Sequence, residues 1–468
     1  MKTTIAPRIA ALALAAAVPL ASVMFAPSAQ AVTTTASSAA GWLSDQLTNG
    51  VVHNAQYDFD DYGLSLDVFF ALDSLQTRQS TADSIIDALA KSPSSYIGSG
   101  ASIYAGSVGK LAAAVQLDGR DATHFGGVNL ISTAEDRVVT SGAEKGRASD
   151  SFDPSDPYGG DYSNSIGQAW VVRALSTAHS SLAADATSYL LKQQCSDGSF
   201  RVTMGTTACA TGTVDGTAFA VQALLVAKAQ GATDVSDDVA GAVSWLDGAQ
   251  ASDGSFSDDG AANTNSTALG ASTLAQAGET SRAQKAAAWI VGRQATTKNS
   301  VGTKLSSEVG AVAFDSAAFT AGKADGITVG TRDQWTRATA QAAIGLNIAL
   351  PAGSGSSGSG SGSGGSSSGG SSSGSTGSGS GGTFFSPGST SPTADPTPTP
   401  TPTPTETPTD SSPSTDAPVS AAPAASKTSS DDGNGISAGW IVAAVAGFLI
   451  IGTAGAAGIG RLRGGRTP

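Results

Sequence analysis

Two stretches of the sequence share one pattern, an aromatic residue and leucine, then a glutamine, then Ser-Asp-Gly-Ser-Phe. They are Tyr189-Leu-Leu-Lys-Gln-Gln-Cys-Ser-Asp-Gly-Ser-Phe200 and Trp245-Leu-Asp-Gly-Ala-Gln-Ala-Ser-Asp-Gly-Ser-Phe256. Asp-Gly favours a tight turn, because glycine tolerates a positive φ, and the phenylalanine that follows can tuck between neighbouring helices. Upstream of the second stretch, apolar residues recur at i, i+3, i+4 and i+7 from Val239 to Leu246. One apolar stripe on an otherwise polar helix predicts an outer helix that ends in this turn.

A different kind of helix alternates with these outer helices. It is rich in alanine and apolar nearly all round, as in the stretch from Ala218 to Val226. Such a helix packs against an outer ring on one side and lines a central cavity on the other. A small polar residue opens it, and the pattern recurs six times between Val32 and Leu350, which predicts six inner helices that start at one end of a barrel. The openers are Ser65, Ser107, Ser165, Thr217, Thr267 and Thr339.

The two stretches, together with Trp289-Ile290 through Gln294, resemble the aromatic-Gln-Gly-aromatic repeat of prenyltransferase and squalene-cyclase-like proteins. The resemblance runs from about Ala40 to Leu350. It implies an all-α fold, an α/α toroid of six inner and six outer helices. The third copy lacks the glycine turn after Gln294. Toroids host cyclases, lipid transferases, glycan-cleaving enzymes and vitamin carriers, so the fold leaves the function open.

One segment bears on a cyclase function. Squalene-cyclase-like enzymes protonate an alkene with the middle acid of an Asp-x-Asp-Asp-Thr-Ala motif, and Asp215 matches that position. Thr213 and Gly216 replace the two supporting acids. Ser163, Asp215 and Asn265 each stand two residues before an opener, and all three are preferred helix N-caps. Helix capping, ligand contact and a general-acid role therefore all remain open for Asp215.

The same segment, Thr213 to Leu225, is similar to a repeat of the cobalamin-carrier toroids of animals, and Asn265 to Gly270 is similar to another. Those carriers hold a corrinoid between the toroid and a small β domain, which Val32 to Leu350 lacks. The chain also resembles exported, membrane-anchored repeat proteins of actinobacteria.

The inner helices point their N-terminal amides at one mouth of the toroid, where a ligand would meet the first-turn residues. Aromatic faces combined with amides and carboxylates suit a large, partly polar ligand such as a corrinoid, a glycan or a lipid. The candidate ligand-binding residues are Asp61, Tyr62, Tyr104, Tyr162, Gln168, Asp215, Asn263, Asn265 and Trp335.

Acidic clusters also precede the inner helices, at 58–61, 153–161 and 258–259. A paired acid and base for glycan cleavage could lie among them, and solvated loop acids are the alternative.

Charge and composition exclude several functions. Lys and Arg total 25 against 38 Asp and Glu, a net charge of −13, so the chain offers no surface that would track nucleic-acid phosphates. The three histidines lack metal-ligand spacing, and we expect no metal or cofactor. In an exported chain, Cys195 and Cys209 are expected to form a disulfide.

The two ends predict where the protein lies. Residues 1–31 read as a secretory signal peptide that closes on Ala29-Gln30-Ala31. Residues 351–435 form a Gly/Ser-rich and then Thr/Pro-rich stalk. Residues 436–459 form an uncharged stretch long enough to span a membrane, and a basic tail, 460–468, follows. We therefore expect a single-pass surface protein whose toroid, residues 32–350, is extracellular.

The leading functional hypothesis is a displayed ligand-binding module, with an unknown small molecule, glycan or lipid as its partner. The alternative is an enzyme of the toroid type, either transforming terpenoids or lipids through Asp215 or cleaving glycans with the acids at the mouth. An enzyme needs at least two tuned groups that converge, whereas a binder needs aromatic and amide contacts.

Overall fold

The computed structural model describes residues 32–157, 159–258 and 260–348. In chain order the helices of these ranges are α1 (Thr34–Ser44), α2 (Tyr62–Ser74), α3 (Gln79–Lys91), α4 (Ser94–Ile97), α5 (Ala105–Leu117), α6 (Leu130–Glu135), α7 (Ser165–Thr177), α8 (Ala183–Leu191), α9 (Val214–Ala229), α10 (Ser236–Ala249), α11 (Thr264–Gln276), α12 (Thr280–Val291), α13 (Ser316–Asp325) and α14 (Val329–Leu346). The strands are β1 (Leu47–Thr48), β2 (Val51–Asn54), β3 (Phe59–Asp61), β4 (Gly98–Ser99) and β5 (Ser102–Ile103).

The strands are short and lie in the connections. β1, β2 and β3 pair antiparallel in that order between α1 and α2, with Val52 opposite both Leu47 and Asp61. β4 and β5 form a hairpin before α5.

The helices form a closed double ring. In the ranges that the structure describes, the inner ring is α2, α5, α7, α9, α11 and α14, each in contact with the next, and α14 contacts α2. The outer helices α1, α3, α6, α8, α10 and α12 pack against the inner ring. The fold is therefore the α/α toroid that the resemblance to prenyltransferase and squalene-cyclase-like proteins implies.

The inner helices run in the same direction. Gly106 of α5 meets Gly167 of α7, where an added Cβ would lie 3.0 Å from the Gly167 Cα atom. Further along, Gln222 of α9 donates hydrogen bonds to Ser272 and Thr273 of α11, at 3.2 and 3.0 Å. Residues at matching distances from their helix starts thus lie side by side, as parallel helices require.

A glutamine at the end of three outer helices, α8, α10 and α12, joins each of them to the next outer helix. The Gln250 amide Nε2 donates to the carbonyl of its own turn, at Gly254, and to the carbonyl of Arg282 in α12, both at 3.0 Å. Gln194 makes the same pair of bonds, to Gly198 and to Asp238 of α10. Gln294 makes them to Gly310, at 3.1 Å, and to Thr35 of α1, at 2.9 Å. The last bond ties the end of the ring to its beginning.

The third copy of the repeat does have its turn glycine. An insertion delays it to Gly310, which has a φ of 107°, as Gly254 has one of 97°. The tryptophans of the repeat donate to an acid in the preceding turn: Trp245 Nε1 to Asp197 at 3.0 Å, Trp289 Nε1 to Asp253 at 3.1 Å and Trp42 Nε1 to Glu308 at 2.7 Å. Trp42 therefore belongs to a repeat copy that closes the ring.

Four of the six openers, Ser65, Thr217, Thr267 and Thr339, bind the incoming loop to the inner helix and are not its first residue. The Thr217 hydroxyl donates to the carbonyl of Thr213 at 2.6 Å and accepts the Phe200 N–H at 2.8 Å, which fixes the incoming loop on the inner helix. Ser65, Thr267 and Thr339 make the same two bonds. The prediction that these residues begin the inner helices is wrong except at Ser165, since the other five helices begin two to ten residues earlier.

The predicted disulfide between Cys195 and Cys209 is present, with 4.7 Å between the two Cα atoms. No helix within residues 32–157, 159–258 and 260–348 is long and apolar enough to cross a membrane. Four segments predicted from the sequence lie outside the described residues: the signal peptide (1–31), the stalk (351–435), the membrane span (436–459) and the basic tail (460–468).

Candidate functional site

The lumen of the toroid is lined by one column of residues from each inner helix. In α7 this column is Ile166, Trp170, Arg173 and Thr177, spaced at i, i+4, i+7 and i+11. These side chains keep some solvent access, whereas Ala169, on the same helix, keeps none. The same register in the other inner helices divides the lumen into layers from the N-terminal mouth inward.

Three layers matter for a ligand. The mouth layer is Gly63, Gly106, Ile166, Asp215, Asn265 and Arg337. The middle layer is Asp67, Lys110, Trp170, Phe219, Leu269 and Gln341. The deep layer is Phe70, Ala113, Arg173, Gln222, Ser272 and Ile344.

Ion pairs cover one side of the mouth and middle layers. Arg337 pairs with Asp61 and with Asp333, whose Oδ2 atom accepts from Nε at 2.8 Å. Burial opposes the charge, yet these two carboxylates raise the pKa of Arg337. Lys110 pairs with Asp67 at 2.6 Å and also donates to the carbonyl of Gly63 at 3.0 Å. This wall of α14, α2 and α5 is therefore charged but internally neutralised.

Aromatic rings line part of the lumen below the mouth. Phe70 of α2 stacks on Trp170 of α7 with 4.9 Å between ring centroids, and Phe219 of α9 lies 6.0 Å from Trp170. α2 and α7 both neighbour α5, so the stacked pair covers the inner face of that helix. We call these three rings the aromatic floor, and the part of the lumen between them and the mouth layer the chamber.

Several buried polar atoms on the lumen columns lack partners. Asn265 Oδ1 and Gln341 Oε1 accept no hydrogen bond from the part of the chain that the structure describes. Arg173 Nε and the Thr177 hydroxyl, deeper on α7, are in the same condition. A buried polar atom without a partner costs about 1–3 kcal/mol, so a ligand group that bonded to any of these four atoms would be stabilised there.

The fold itself uses four of the candidate ligand-binding residues. Asp61 caps α2 by accepting the Leu64 N–H at 2.8 Å and pairs with Arg337. Asn263 caps α11. The fully buried Gln168 holds the loop before α7, accepting from the Ala148 N–H at 2.7 Å. Trp335 is buried under α13, where it leaves no room for a side chain at position 322.

The three candidate tyrosines lie around the rim. Tyr62 is the first residue of α2 and Tyr104 is the N-cap of α5, while Tyr162 is exposed. Burial, with the carboxylates of Asp150 and Asp156 adding to it, raises the pKa of Tyr104.

Asp150 is the acid with the largest shift at this rim. Burial, and then the nearby Asp161 carboxylate, raise its pKa to about 6 against backbone hydrogen bonds that lower it. Its two oxygens accept the N–H groups of Ala105, at 2.7 Å, and Tyr162, at 3.1 Å. This acid therefore pins the loop 150–162 to the start of α5.

Asp215 does not cap α9. Thr213 is the N-cap, and its hydroxyl accepts the Gly216 N–H at 3.0 Å. Likewise α7 and α11 are capped by Asn164 and Asn263, not by Ser163 and Asn265. The capping interpretation of Asp215 is thus wrong, and the carboxylate lies in the first helical turn, in the mouth layer beside Asn265.

The other acids before the inner helices make local contacts. Asp58 and Asp60 both lie against His53. Asp161 pairs with Arg147 at 2.8 Å, and Asp258 accepts the Val214 N–H at 2.7 Å. Within the described ranges, no group of three or more His, Cys, Asp or Glu side chains could hold a metal ion.

Sequence reasoning missed the lumen residues Lys110, Arg173, Gln341 and Trp170. The available signal was a single polar or aromatic residue in an otherwise alanine-rich helix, repeated at one register. A surface cleft of about 390 Å³ also lies outside the ring, between α8 and the disulfide loop, lined by Tyr189 and Lys192 among others. Among the described residues, the cleft has one unsatisfied polar atom, the Tyr189 hydroxyl, whereas the lumen columns have at least four, which favours the lumen as the candidate site.

No protein-family model matches the chain, and no curated protein matches it. Solved structures similar to it include a protein from Actinoplanes, at 17% identity and a TM-score of 0.46, covering 67% of this chain and 99% of that one. An unsaturated glucuronyl hydrolase from Bacillus sp. GL1 has 10% identity and a TM-score of 0.45, covering 68% and 99%. The ent-copalyl diphosphate synthase from Streptomyces platensis has 16% identity and a TM-score of 0.36, covering 62% of this chain and 50% of the synthase. Likenesses this distant assign no activity.

Proposed function

We propose that the toroid binds a hydroxyl-rich ligand, a saccharide, in the chamber between its mouth and the aromatic floor. The observation that carries the proposal is the pair of buried, unpartnered oxygens of Asn265 and Gln341 on the neighbouring helices α11 and α14. Each would accept a hydrogen bond from a ligand hydroxyl. Amide and carboxylate groups above aromatic rings are a typical lining for a sugar.

The other two ligand classes fit this chamber less well. A corrinoid is a wide, flat macrocycle, and the stacked rings of Phe70 and Trp170 narrow the lumen below the mouth. The hydrocarbon of a lipid would have to pass the charged wall of Arg337, Asp61 and Lys110. Hydrocarbon in contact with these ion pairs would remove their remaining hydration, which is unfavourable for charged groups.

The test is a titration of the full chain with maltotriose and chitotriose, with cobalamin and farnesol as probes of the other classes, following thermal unfolding. A ligand at 100 times its dissociation constant adds about 2.7 kcal/mol. Gln341→Leu should weaken saccharide binding at least tenfold, about 1.4 kcal/mol. The matched control is Gln334→Leu, an exposed glutamine on the same helix, which should bind normally.

Failure of both saccharides to raise the unfolding temperature would overturn the saccharide assignment, and a shift with cobalamin or farnesol would replace it. Equal loss of binding in Gln334→Leu and Gln341→Leu would show that the lumen is not the site.

A second candidate function is an enzyme that uses Asp215 as its acid. The observation that favours it is the place of Asp215 in the mouth layer, released from capping by Thr213. The lumen acids Asp61 and Asp67 are each paired with a cation, so neither is available as the second carboxylate that glycan cleavage needs. Turnover of an isoprenoid or an oligosaccharide that disappears in Asp215→Asn would establish the enzyme.

We also propose that residues 436–459 hold the toroid on the outer face of the membrane through the stalk. The composition of the chain outside the described residues supports this placement. Protease treatment of intact cells should release residues 32–348 as a stable fragment. Retention of an intact chain under these conditions would contradict the proposed topology.

A further inference from the structure

Arg173 is a buried cation without a counter-ion. Its side chain lies in the deep layer of the lumen and keeps only 6% of its surface exposed. No described residue forms an ion pair or hydrogen bond with its guanidinium, and its Nε atom is fully enclosed. Burial lowers the pKa of Arg173 to about 10, so the group remains charged at neutral pH.

The contacts of Arg173 do not account for its presence. The guanidinium carbon lies 4.5 Å from the centroid of the Trp170 ring, one turn earlier on α7. Stacking on tryptophan stabilises a desolvated cation, but it satisfies none of the five N–H donors. An uncompensated buried charge costs more than this, and an apolar residue in its place would be favoured by stability alone.

A second donor lies on the same column. The Thr177 hydroxyl, one turn beyond Arg173, is buried and has no partner in the described part of the chain. The rest of the deep layer is apolar or already bonded: Phe70, Ala113 and Ile344 carry no donor, and the Gln222 amide donates to Ser272. The unused donors of Arg173 and Thr177 thus lie on one column of the lumen, one helical turn apart, and the Arg173 guanidinium lies against the aromatic floor.

We propose that Arg173 and Thr177 form a binding site for an oxyanion, the carboxylate or phosphate group of a ligand whose ring or apolar part contacts the aromatic floor. A planar guanidinium matches either group by two parallel hydrogen bonds, and the hydroxyl supplies a third. The site deepens the lumen-binding function proposed above by adding a charged group to the ligand, and it is tested with ligands that contain no sugar.

The experiment uses the full chain and four small probes. Benzoate and phenyl phosphate carry an oxyanion on a ring, benzamide is the neutral counterpart of benzoate, and inorganic phosphate lacks the ring. Thermal unfolding and calorimetric titration measure binding. We expect benzoate, phenyl phosphate or both to raise the unfolding temperature, and benzamide to leave it unchanged. A response to benzoate alone assigns a carboxylate, and a response to phenyl phosphate and inorganic phosphate assigns a phosphate.

Three variants separate a binding role from a structural one. Arg173→Met should weaken anion binding at least tenfold while the ligand-free protein unfolds at the same or a higher temperature, because an unpaired charge is removed. Arg173→Lys should retain part of the affinity. Arg293→Met is the matched control, since Arg293 stacks on Trp289 outside the lumen, with 3.1 Å from its guanidinium carbon to the ring centroid.

The proposal is overturned if the anions and benzamide act alike, or if Arg173→Met binds the anions as the unchanged protein does. It is also overturned if no anion binds and Arg173→Met lowers the unfolding temperature, because Arg173 would then be a structural cation. A protein that binds maltotriose but neither anion loses this inference and keeps the proposed function. A protein that binds benzoate but no saccharide keeps this inference and loses the proposed saccharide-binding function.

Discussion

The bond between the two ends of the ring should be a major source of stability. Gln294 is 1% exposed, and its amide donates to the carbonyls of Gly310 and Thr35, two groups separated by most of the domain. Gln294→Met keeps the volume of the side chain but removes both donors. Each buried carbonyl left without a partner costs about 1–3 kcal/mol, so we expect the free energy of unfolding to fall by about 3 kcal/mol.

Urea unfolding of the full chain, followed by far-ultraviolet circular dichroism, measures this loss. Gln250→Met removes the corresponding two bonds, one to its own turn and one to the next outer helix, and should cost about as much. Gln334→Met, on the exposed face of α14, should change the free energy of unfolding by less than about 0.5 kcal/mol. The reasoning is refuted if Gln250→Met is costly and Gln294→Met behaves like Gln334→Met, because the ring would then not be closed through α1.

Three further changes test separate parts of the structure. Gly254→Ala should lower the unfolding temperature more than Gly278→Ala does. Both glycines have a positive φ, but only at Gly254 would the added Cβ lie 2.5 Å from a carbonyl oxygen, that of Lys285 in α12. Equal losses would contradict the close approach of the turn to α12. Asp73→Asn should raise the free energy of unfolding at pH 8 and lose that gain near pH 4. Burial raises the pKa of Asp73 to about 6, so the folded chain binds this proton more tightly than the unfolded chain does. A gain that is the same at both pH values would contradict the shift. Replacing Cys195 and Cys209 by serine should lower stability by about 3 kcal/mol, and chemical reduction of the unchanged protein should give the same value.

The double ring could be predicted from the sequence because the residues that connect its outer helices lie close together along the chain. The aromatic residue, the glutamine and the Asp-Gly turn lie within twelve residues of one another in the copies that begin at Tyr189 and Trp245. The turn of the third copy, which begins at Trp289, escaped notice because an insertion delays its glycine to Gly310. Local signals identify a repeat only where no insertion interrupts it.

The caps and the site were harder to predict, for physical reasons. Thr213 and Asp215 are both good N-caps, and only the extended backbone at Thr213, with φ −126° and ψ 162°, decides between them. Gln168 has the chemistry of a ligand contact, but its side-chain oxygen accepts a hydrogen bond from Ala148, in the loop before α7. Because the inner helices are apolar nearly all round, their sequences do not say which column faces the lumen, and Arg173 remained unremarked.

The most direct test of ligand binding in the lumen is ¹⁹F magnetic resonance of the full chain labelled with 5-fluorotryptophan. The chain has six tryptophans, and the resonance of Trp170 is assigned by its disappearance in Trp170→Phe. A saccharide that raises the unfolding temperature should shift the Trp170 resonance and leave those of Trp245 and Trp289, on the outer ring, in place. A shift of the outer resonances with Trp170 unmoved would contradict the lumen as the binding site.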